Sequence, residues 1–240
     1  MTQTESLAVE KERPMARPEP EPLEDPLSLV PRIATKLHSL WLTWTYPFVS
    51  VGSKFSIHHS CELKRSVSNH IKIGNSVLLT RDVWLNVPFV PNRAEPVIIL
   101  DDNVQIGRRC QISGKNRIHF ERNAILASDV LVMDHNHAYE DVNVPILKQE
   151  TTPGGTIRIE EDCWIGLGAV IISSQGELVI GKHSVVAANS MVTHSIPPYS
   201  VVAGNPARVV RYYDPITETW KMGSRNLVGQ TKGEMAVAKP

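Results

Sequence analysis

The chain predicts an all-β fold, a parallel β-helix built of six-residue units, and three observations predict it. Aliphatic residues recur every six positions at Ile159, Ile165 and Ile171, then after a slip of three at Ile180, Val186 and Val192. Four residues after most of them stands a small or apolar side chain, as at Cys163, Ala169, Ser184, Ser190 and Ile196. The same beat runs upstream through Ile57 and Leu63, then Ile73, Leu79 and Leu85, then Leu100, Ile106 and Ile112, then Phe120, Leu126 and Val132. A helix repeats at about 3.6 residues and an ordinary strand at about 2, so neither fits. One short strand and one turn per unit does fit, with three units to a coil and the aliphatic residues stacked into an apolar prism. Roughly six to eight such coils are expected, each burying its core against its neighbours.

Taken in order, residues 1–26 are rich in Pro and Glu and carry little apolar content. Such a segment cannot offset its ordering entropy and reads as disordered. It has no apolar stretch of the kind a secretory signal needs. Residues 27–50 read as an amphipathic helical segment, with Ile33, Leu37, Leu40, Trp41 and Trp44 on one face. Pro31, Arg32, Lys36 and Pro47 interrupt it, which argues against a transmembrane span. Two readings stay open: the helix packs on or caps the β-helix, or residues 33–44 touch a membrane surface. Residues 51–211 hold the β-helix. Within them the beat stops from Asp134 to Gly155, a stretch opening on Asp-His-Asn-His and too long for an ordinary connection. Such a loop, 134–155, is expected to protrude and to serve function. Residues 212–240 read as a cap and tail, the cap starting near Val209 and the last twenty residues fraying.

Composition narrows the function. Lys plus Arg equal Asp plus Glu at 25 each, so no basic field points to nucleic acid. Cys61, Cys110 and Cys163 each fall four residues after a repeat aliphatic, in the small inward slot. All three read as buried packing residues of a reducing compartment. A cytoplasmic location is expected, peripheral to the inner face of the membrane if the helix is interfacial.

The runs IGLGAVI and VVAANSMVTHSIPPYSVVAGNPARVV, with DHNH before a long loop, resemble the hexapeptide-repeat O-acetyltransferases. These include galactoside, maltose, streptogramin and polysaccharide O-acetyltransferases. The resemblance runs from Ile57 to Arg211 and is strongest after Val132. It implies a left-handed β-helix, a homotrimer, and acetyl-CoA lying between adjacent subunits. It implies direct acetyl transfer to the hydroxyl of a sugar or polysaccharide precursor, without a metal.

That chemistry needs a general base for the hydroxyl proton, and histidine suits neutral pH. In the galactoside and maltose enzymes the base stands five residues after the last aliphatic before the loop, which selects His137 here, with His135 the other candidate. Asp134, Asn136 and His119 are weaker candidates for the acceptor side. His119 lies 18 residues before His137, so an unbroken register would stack the two imidazoles. The resemblance places the coenzyme at Leu167, Ala188, Thr193 and His194, while Gly166 and Gly168, counted with the coenzyme site, either present backbone N–H groups to the charged intermediate or serve turn geometry. Leu167 and His194 depart from a Ser and a Lys in the galactoside enzyme. Trp164 either walls the thioester site or is structural. Arg208 and Arg211 match arginines near the nucleotide, where guanidinium suits phosphate. The acceptor positions of the galactoside enzyme fall on Gly107 and Lys115, which do not match, so a simple galactoside is not expected. Two other readings share the fold. A γ-type carbonic anhydrase would need zinc-binding histidines five apart, which the chain lacks. A non-catalytic scaffold would not need DHNH or the two arginines.

Overall fold

The six-residue beat becomes three stacked faces of a left-handed parallel β-helix in the computed structural model, which describes residues 29–88 and 95–223. The readings of residues 1–26 as disordered and of the extreme C-terminus as frayed fall outside these residues. One helix, α1 (Leu29–Thr45), precedes the solenoid. The first coil holds β1 (Ser50–Val51), β2 (Ser56–Ile57) and β3 (Glu62–Leu63). The second holds β4 (Ile71–Ile73), β5 (Leu78–Leu79) and β6 (Trp84–Asn86), and the third β7 (Ile98–Leu100), β8 (Gln105–Ile106) and β9 (Gln111–Ser113). The fourth holds β10 (Arg117–Phe120), β11 (Ile125–Leu126) and β12 (Leu131–Met133). The fifth holds β13 (Thr156–Ile159), β14 (Trp164–Ile165) and β15 (Val170–Ile172), and the sixth β16 (Glu177–Ile180), β17 (Val185–Val186) and β18 (Met191–Val192). Then β19 (Ser200–Ala203) extends the second face, and an antiparallel hairpin of β20 (Arg208–Asp214) and β21 (Thr219–Met222) pairs with it. The cap expected from Val209 to Trp220 takes this form.

Strand pairing puts the expected aliphatics in single file. Ile57, Leu79, Ile106, Leu126, Ile165 and Val186 form one row. Ile73, Leu100, Phe120, Ile159 and Ile180 form another. Leu63, Leu85, Ile112, Val132, Ile171 and Val192 form the third. All but the half-buried Leu63 are essentially removed from water, each contributing about 1.5–3 kcal/mol of burial. The small slots follow suit, with Cys163, Ala169, Ser184 and Ser190 buried.

The edges of the prism differ. Between the first and second faces the turns pass through a positive φ at Ser76, Asn103, Asn123, Asp162 and His183. Between the second and third faces they do so at Asp82, Arg109, Asp129, Gly168 and Asn189. Asn and Asp tolerate this conformation best among residues with a Cβ. Every longer insertion among the described residues falls on the third edge, between the third and first faces: 65–70, 114–116, 134–155 and 173–176. The slips in the sequence beat are these insertions.

Two expectations need correction. Cys110 and Cys163 are buried, but Cys61 is only half-buried because it sits in the first coil, with no full coil over it. All three thiols donate to backbone carbonyls, Cys61 to Thr80 at 2.8 Å, Cys110 to Ala127 at 3.0 Å and Cys163 to Gly181 at 3.2 Å. Burial pushes Cys61 and Cys110 up to about 11 and Cys163 up to about 12. Because the thiolate is the nucleophile, native protein at neutral pH is expected to resist iodoacetamide at all three positions and to react only when unfolded. Mass spectrometry before and after denaturant checks this, and rapid native labelling of Cys110 or Cys163 would contradict the packing.

The second correction concerns α1. The helix lies against β2, but through Ser39 and Leu42, and the Ser39 hydroxyl accepts the Ile57 N–H at 2.9 Å. The apolar face read from the sequence is the opposite one and points to water. Trp44 is 89% exposed and Leu37 61%. No helix among the described residues is long and apolar enough to cross a membrane.

Candidate active site

The Asp134–His137 corner is built where β12 ends and the prism should turn into its next first-face strand. Asp134 is completely buried. Its carboxylate accepts three consecutive backbone N–H groups from the preceding coil: Lys115 at 2.7 Å, Asn116 at 2.8 Å and Arg117 at 2.9 Å. Charge-assisted bonds of this kind are about twice as strong as neutral ones. They lock the Gly114–Arg117 turn under the site. The same carboxylate bonds His135 Nδ1 at 3.0 Å, and His135 is itself buried at 7% exposure. His137, two residues on, is exposed. The DHNH motif thus separates into a buried anchor, a buried imidazole held by it, and a surface imidazole.

The loop is stapled rather than loose. His137 pairs with Thr151 in an antiparallel bridge, and Asn136 and Thr152 exchange bonds at 2.7 and 3.0 Å. Asn136 Nδ2 reaches Ser174 Oγ of the next coil at 2.8 Å. From below, Lys115 Nζ donates to Thr151 Oγ1 and to the Thr152 carbonyl, and Asn116 Nδ2 to the Pro153 carbonyl at 3.0 Å. Gly154 closes the loop at φ +82, where a Cβ would meet the Asp134 carbonyl at 2.8 Å. Beyond these staples the finger from Tyr139 to Lys148 is exposed, with Val142 and Leu147 almost wholly in water.

Several sequence assignments change here. Asp134 has its oxygens filled inside the protein, so it cannot touch an acceptor. Asn136 bonds Thr152 through its backbone and Ser174 through Nδ2, at the loop's root. His119 does not stack on His137. Its neighbours in register are Ile99 and Arg158, and its Nε2 lies 2.8 Å from Asp101 Oδ2. The 18-residue spacing misleads because the inserted loop makes the next coil 39 residues away, at Arg158. Lys115, expected only as a departure from the acceptor pattern, holds the loop base. Its role, like that of Thr151 and Gly154, was not foreseen.

The residues assigned to the coenzyme fall on other parts of the prism. Thr193 and His194 share the third edge with the DHNH corner, both exposed and bonded to each other at 2.9 Å. Gly166, Leu167, Gly168 and Ala188 lie on the second edge. Leu167 and Ala188 are exposed there, while Gly166 is buried against the next turn, where a Cβ would meet Ala188 N at 2.6 Å. A Cβ on Gly168 would likewise meet Asn189 Oδ1 at 2.4 Å. Stacking of turns therefore accounts for both glycines. Trp164 is half-exposed on the outside of the second face, in register with Ile125 and Val185. Arg208 is exposed at the start of β20, whereas Arg211 lies over the Trp220 ring at 5.9 Å. The second and third edges are separated by the two- and three-residue strands of the third face, about 10 Å at most. One copy thus places Thr193 and His194 on the edge of His137 and leaves Gly166, Leu167, Gly168 and Ala188 on the next edge.

No family model matches the chain. It is 30% identical over 131 residues to the "Putative lipopolysaccharide biosynthesis O-acetyl transferase WbbJ" of Escherichia coli, covering 52% of this chain and 65% of that protein. It is 29% identical over 110 residues to the "Probable acetyltransferase Rv3034c" of Mycobacterium tuberculosis, covering 46% of this chain and 35% of that protein. The chain thus spans less than two thirds of the length of these curated relatives. Among solved structures, AntD, an N-acyltransferase from Bacillus cereus in complex with dTDP and 3-hydroxybutyryl-CoA, is similar with a TM-score of 0.57. Its identity is 20%, over 71% of this chain and 86% of that one, and the likeness is one of fold. The resemblance to hexapeptide-repeat acetyltransferases read from the sequence is borne out.

Proposed function

We propose that this chain, a hexapeptide β-helix similar to named acetyltransferases, is an acetyl-CoA-dependent O-acetyltransferase acting on a hydroxyl of a sugar or glycan precursor. The observation that carries the reading is the Asp134–His137 corner, where a buried carboxylate ties the corner to the Lys115–Arg117 backbone and one exposed imidazole stands at the root of a stapled loop. His137 takes the hydroxyl proton as the oxygen attacks the thioester carbonyl. The tetrahedral intermediate then collapses, the carbon–sulfur bond breaks, and the imidazolium returns the proton to the leaving thiolate. His135, buried and bound to Asp134, is a positioning residue for that turn.

Acetyl-CoA lies along the second edge, where Leu167 and Ala188 offer backbone and small apolar surface, with Trp164 beside them. Because that edge and His137 are on different edges of one copy, a neighbouring copy completes the site, as in a homotrimer. The test is thiol release from acetyl-CoA over a panel of sugar, lipid-linked sugar, antibiotic and amino-sugar acceptors. Hydroxyl-dependent release supports the reading; release only with amines would make the enzyme an N-acetyltransferase. Absence of both turnover and coenzyme binding would favour a scaffold.

Arg208 serves the nucleotide phosphates. Arg208→Ala is expected to weaken coenzyme A binding about tenfold, the loss of one charge-assisted contact. Arg211→Ala should cost less, since Arg211 is engaged with Trp220. Calorimetric titration checks both, and unchanged affinity in Arg208→Ala would remove that contact.

A further inference from the structure

The solvent-facing side of α1 is the largest apolar feature that the acyl-transfer reading leaves unused. Leu29, Val30, Ile33, Leu37, Leu40, Trp41 and Trp44 are each at least half exposed. At 100° per residue they fall within a single arc of about 120°. Across the helix, Ser39 and Leu42 make the contact with the solenoid. Arg32 and Lys36 flank the apolar arc on the side where the helix meets the first coils. There they line a groove of about 540 Å³ with Lys54, His58 and Arg81. His58 is held below its ordinary value first by burial and then by its neighbours His59 and Arg81.

The charge of the described surface beside α1 is one-sided. Between Leu29 and Asn86 the cations are Arg32, Lys36, Lys54, Lys64, Arg65, Lys72 and Arg81, and the anions only Glu62 and Asp82. That is a net of +5 over these described residues, while residues 1–28 before them carry seven anions and three cations. A two-fold contact with a second copy would set this charge against itself. An anionic lipid surface complements it, and accepts both apolar side chains and tryptophan rings at headgroup depth. The helix, about 25 Å long, lies along such a surface rather than crossing it.

We propose that α1 and the basic groove beside it dock the protein on an anionic phospholipid bilayer, with the apolar arc immersed and Arg32, Lys36, Lys54 and Arg81 on the lipid phosphates. This does not depend on the acyl-transfer reading. The experiment is flotation of the full chain with vesicles of equimolar phosphatidylglycerol and phosphatidylcholine, beside vesicles of phosphatidylcholine alone. The wild type is expected to float with the anionic vesicles and to bind neutral ones at least about tenfold more weakly, with high salt reducing the difference. Leu37→Glu with Trp44→Glu should lose binding at least about tenfold. Both side chains are exposed, so the unfolding midpoint should not move. Arg32→Glu with Lys36→Glu should lose binding to anionic vesicles while keeping the weak neutral binding. Absence of wild-type flotation, equal binding to both vesicles, or unchanged binding by the apolar variant would overturn the proposal. So would sedimentation showing that the apolar variant dissociates an assembly formed by the wild type, since a second copy would then cover the helix.

Discussion

His137→Ala is expected to lower kcat by about a hundredfold to ten-thousandfold, the range that a positioned acid–base group supplies, while coenzyme A binds as before. The expectation rests on three placements. His137 is the exposed imidazole of the DHNH motif, and its backbone is fixed by the bridge to Thr151. Its neighbour His135 is buried on Asp134 and cannot take over at the surface. Leu167 and Ala188, assigned to the coenzyme, lie on a different edge, so removing the imidazole leaves them intact. A truncation that removes only a base also leaves a hole of imidazole size open to solvent. Added imidazole should therefore restore part of the rate in His137→Ala, in proportion to its concentration. A merely structural histidine would show no such rescue. Full turnover by the variant would remove His137 as the base. The same result with a large loss in His135→Ala would transfer the role to His135, and with it the need for the acceptor to reach a buried ring.

The fold was legible because a solenoid writes its contacts as spacing. Each inward row, such as Ile57 through Val186, is a tertiary stack, yet each member is fixed by the local six-residue unit. The loop was legible for the complementary reason, as the longest stretch where the unit fails. Spacing stops being informative across an insertion. His119 and His137 keep the interval of one coil in sequence, but the residues after Met133 leave the prism, and Arg158 inherits the position above His119. Periodicity also cannot say what covers a face. The arc from Ile33 to Trp44 was readable as apolar, but that it faces away from the solenoid depends on Ser39 and Leu42 fitting β2 better. The partners of Asp134 were hidden more deeply. Three N–H groups converging on one carboxylate are a feature of backbone conformation in a neighbouring coil, and no residue type at 115–117 announces it.

That hidden carboxylate gives the second large effect. Asp134→Ala should destabilise the protein by about 3–5 kcal/mol, because it leaves three partly buried N–H groups and the His135 ring without their acceptor. In a solenoid each coil leans on its neighbours, so the damage should begin at the third edge, where the fourth coil meets the connection from the third. Hydrogen exchange is expected to quicken first at Lys115, Asn116 and Arg117, before the second-edge turns respond. Asp134→Asn should fall between wild type and Ala, since it keeps one acceptor oxygen but turns an NH2 group toward the N–H donors. Activity should fall further than stability predicts at temperatures where the variant is still folded, because the turn carrying His137 loses its anchor. The loss should appear in kcat, with KM for acetyl-CoA little changed, as Leu167 and Ala188 lie on the second edge. A denaturant midpoint for Asp134→Ala equal to that of the wild type would show that the turn is held by something other than this carboxylate. The anchoring role proposed for the aspartate of DHNH would then fall with it.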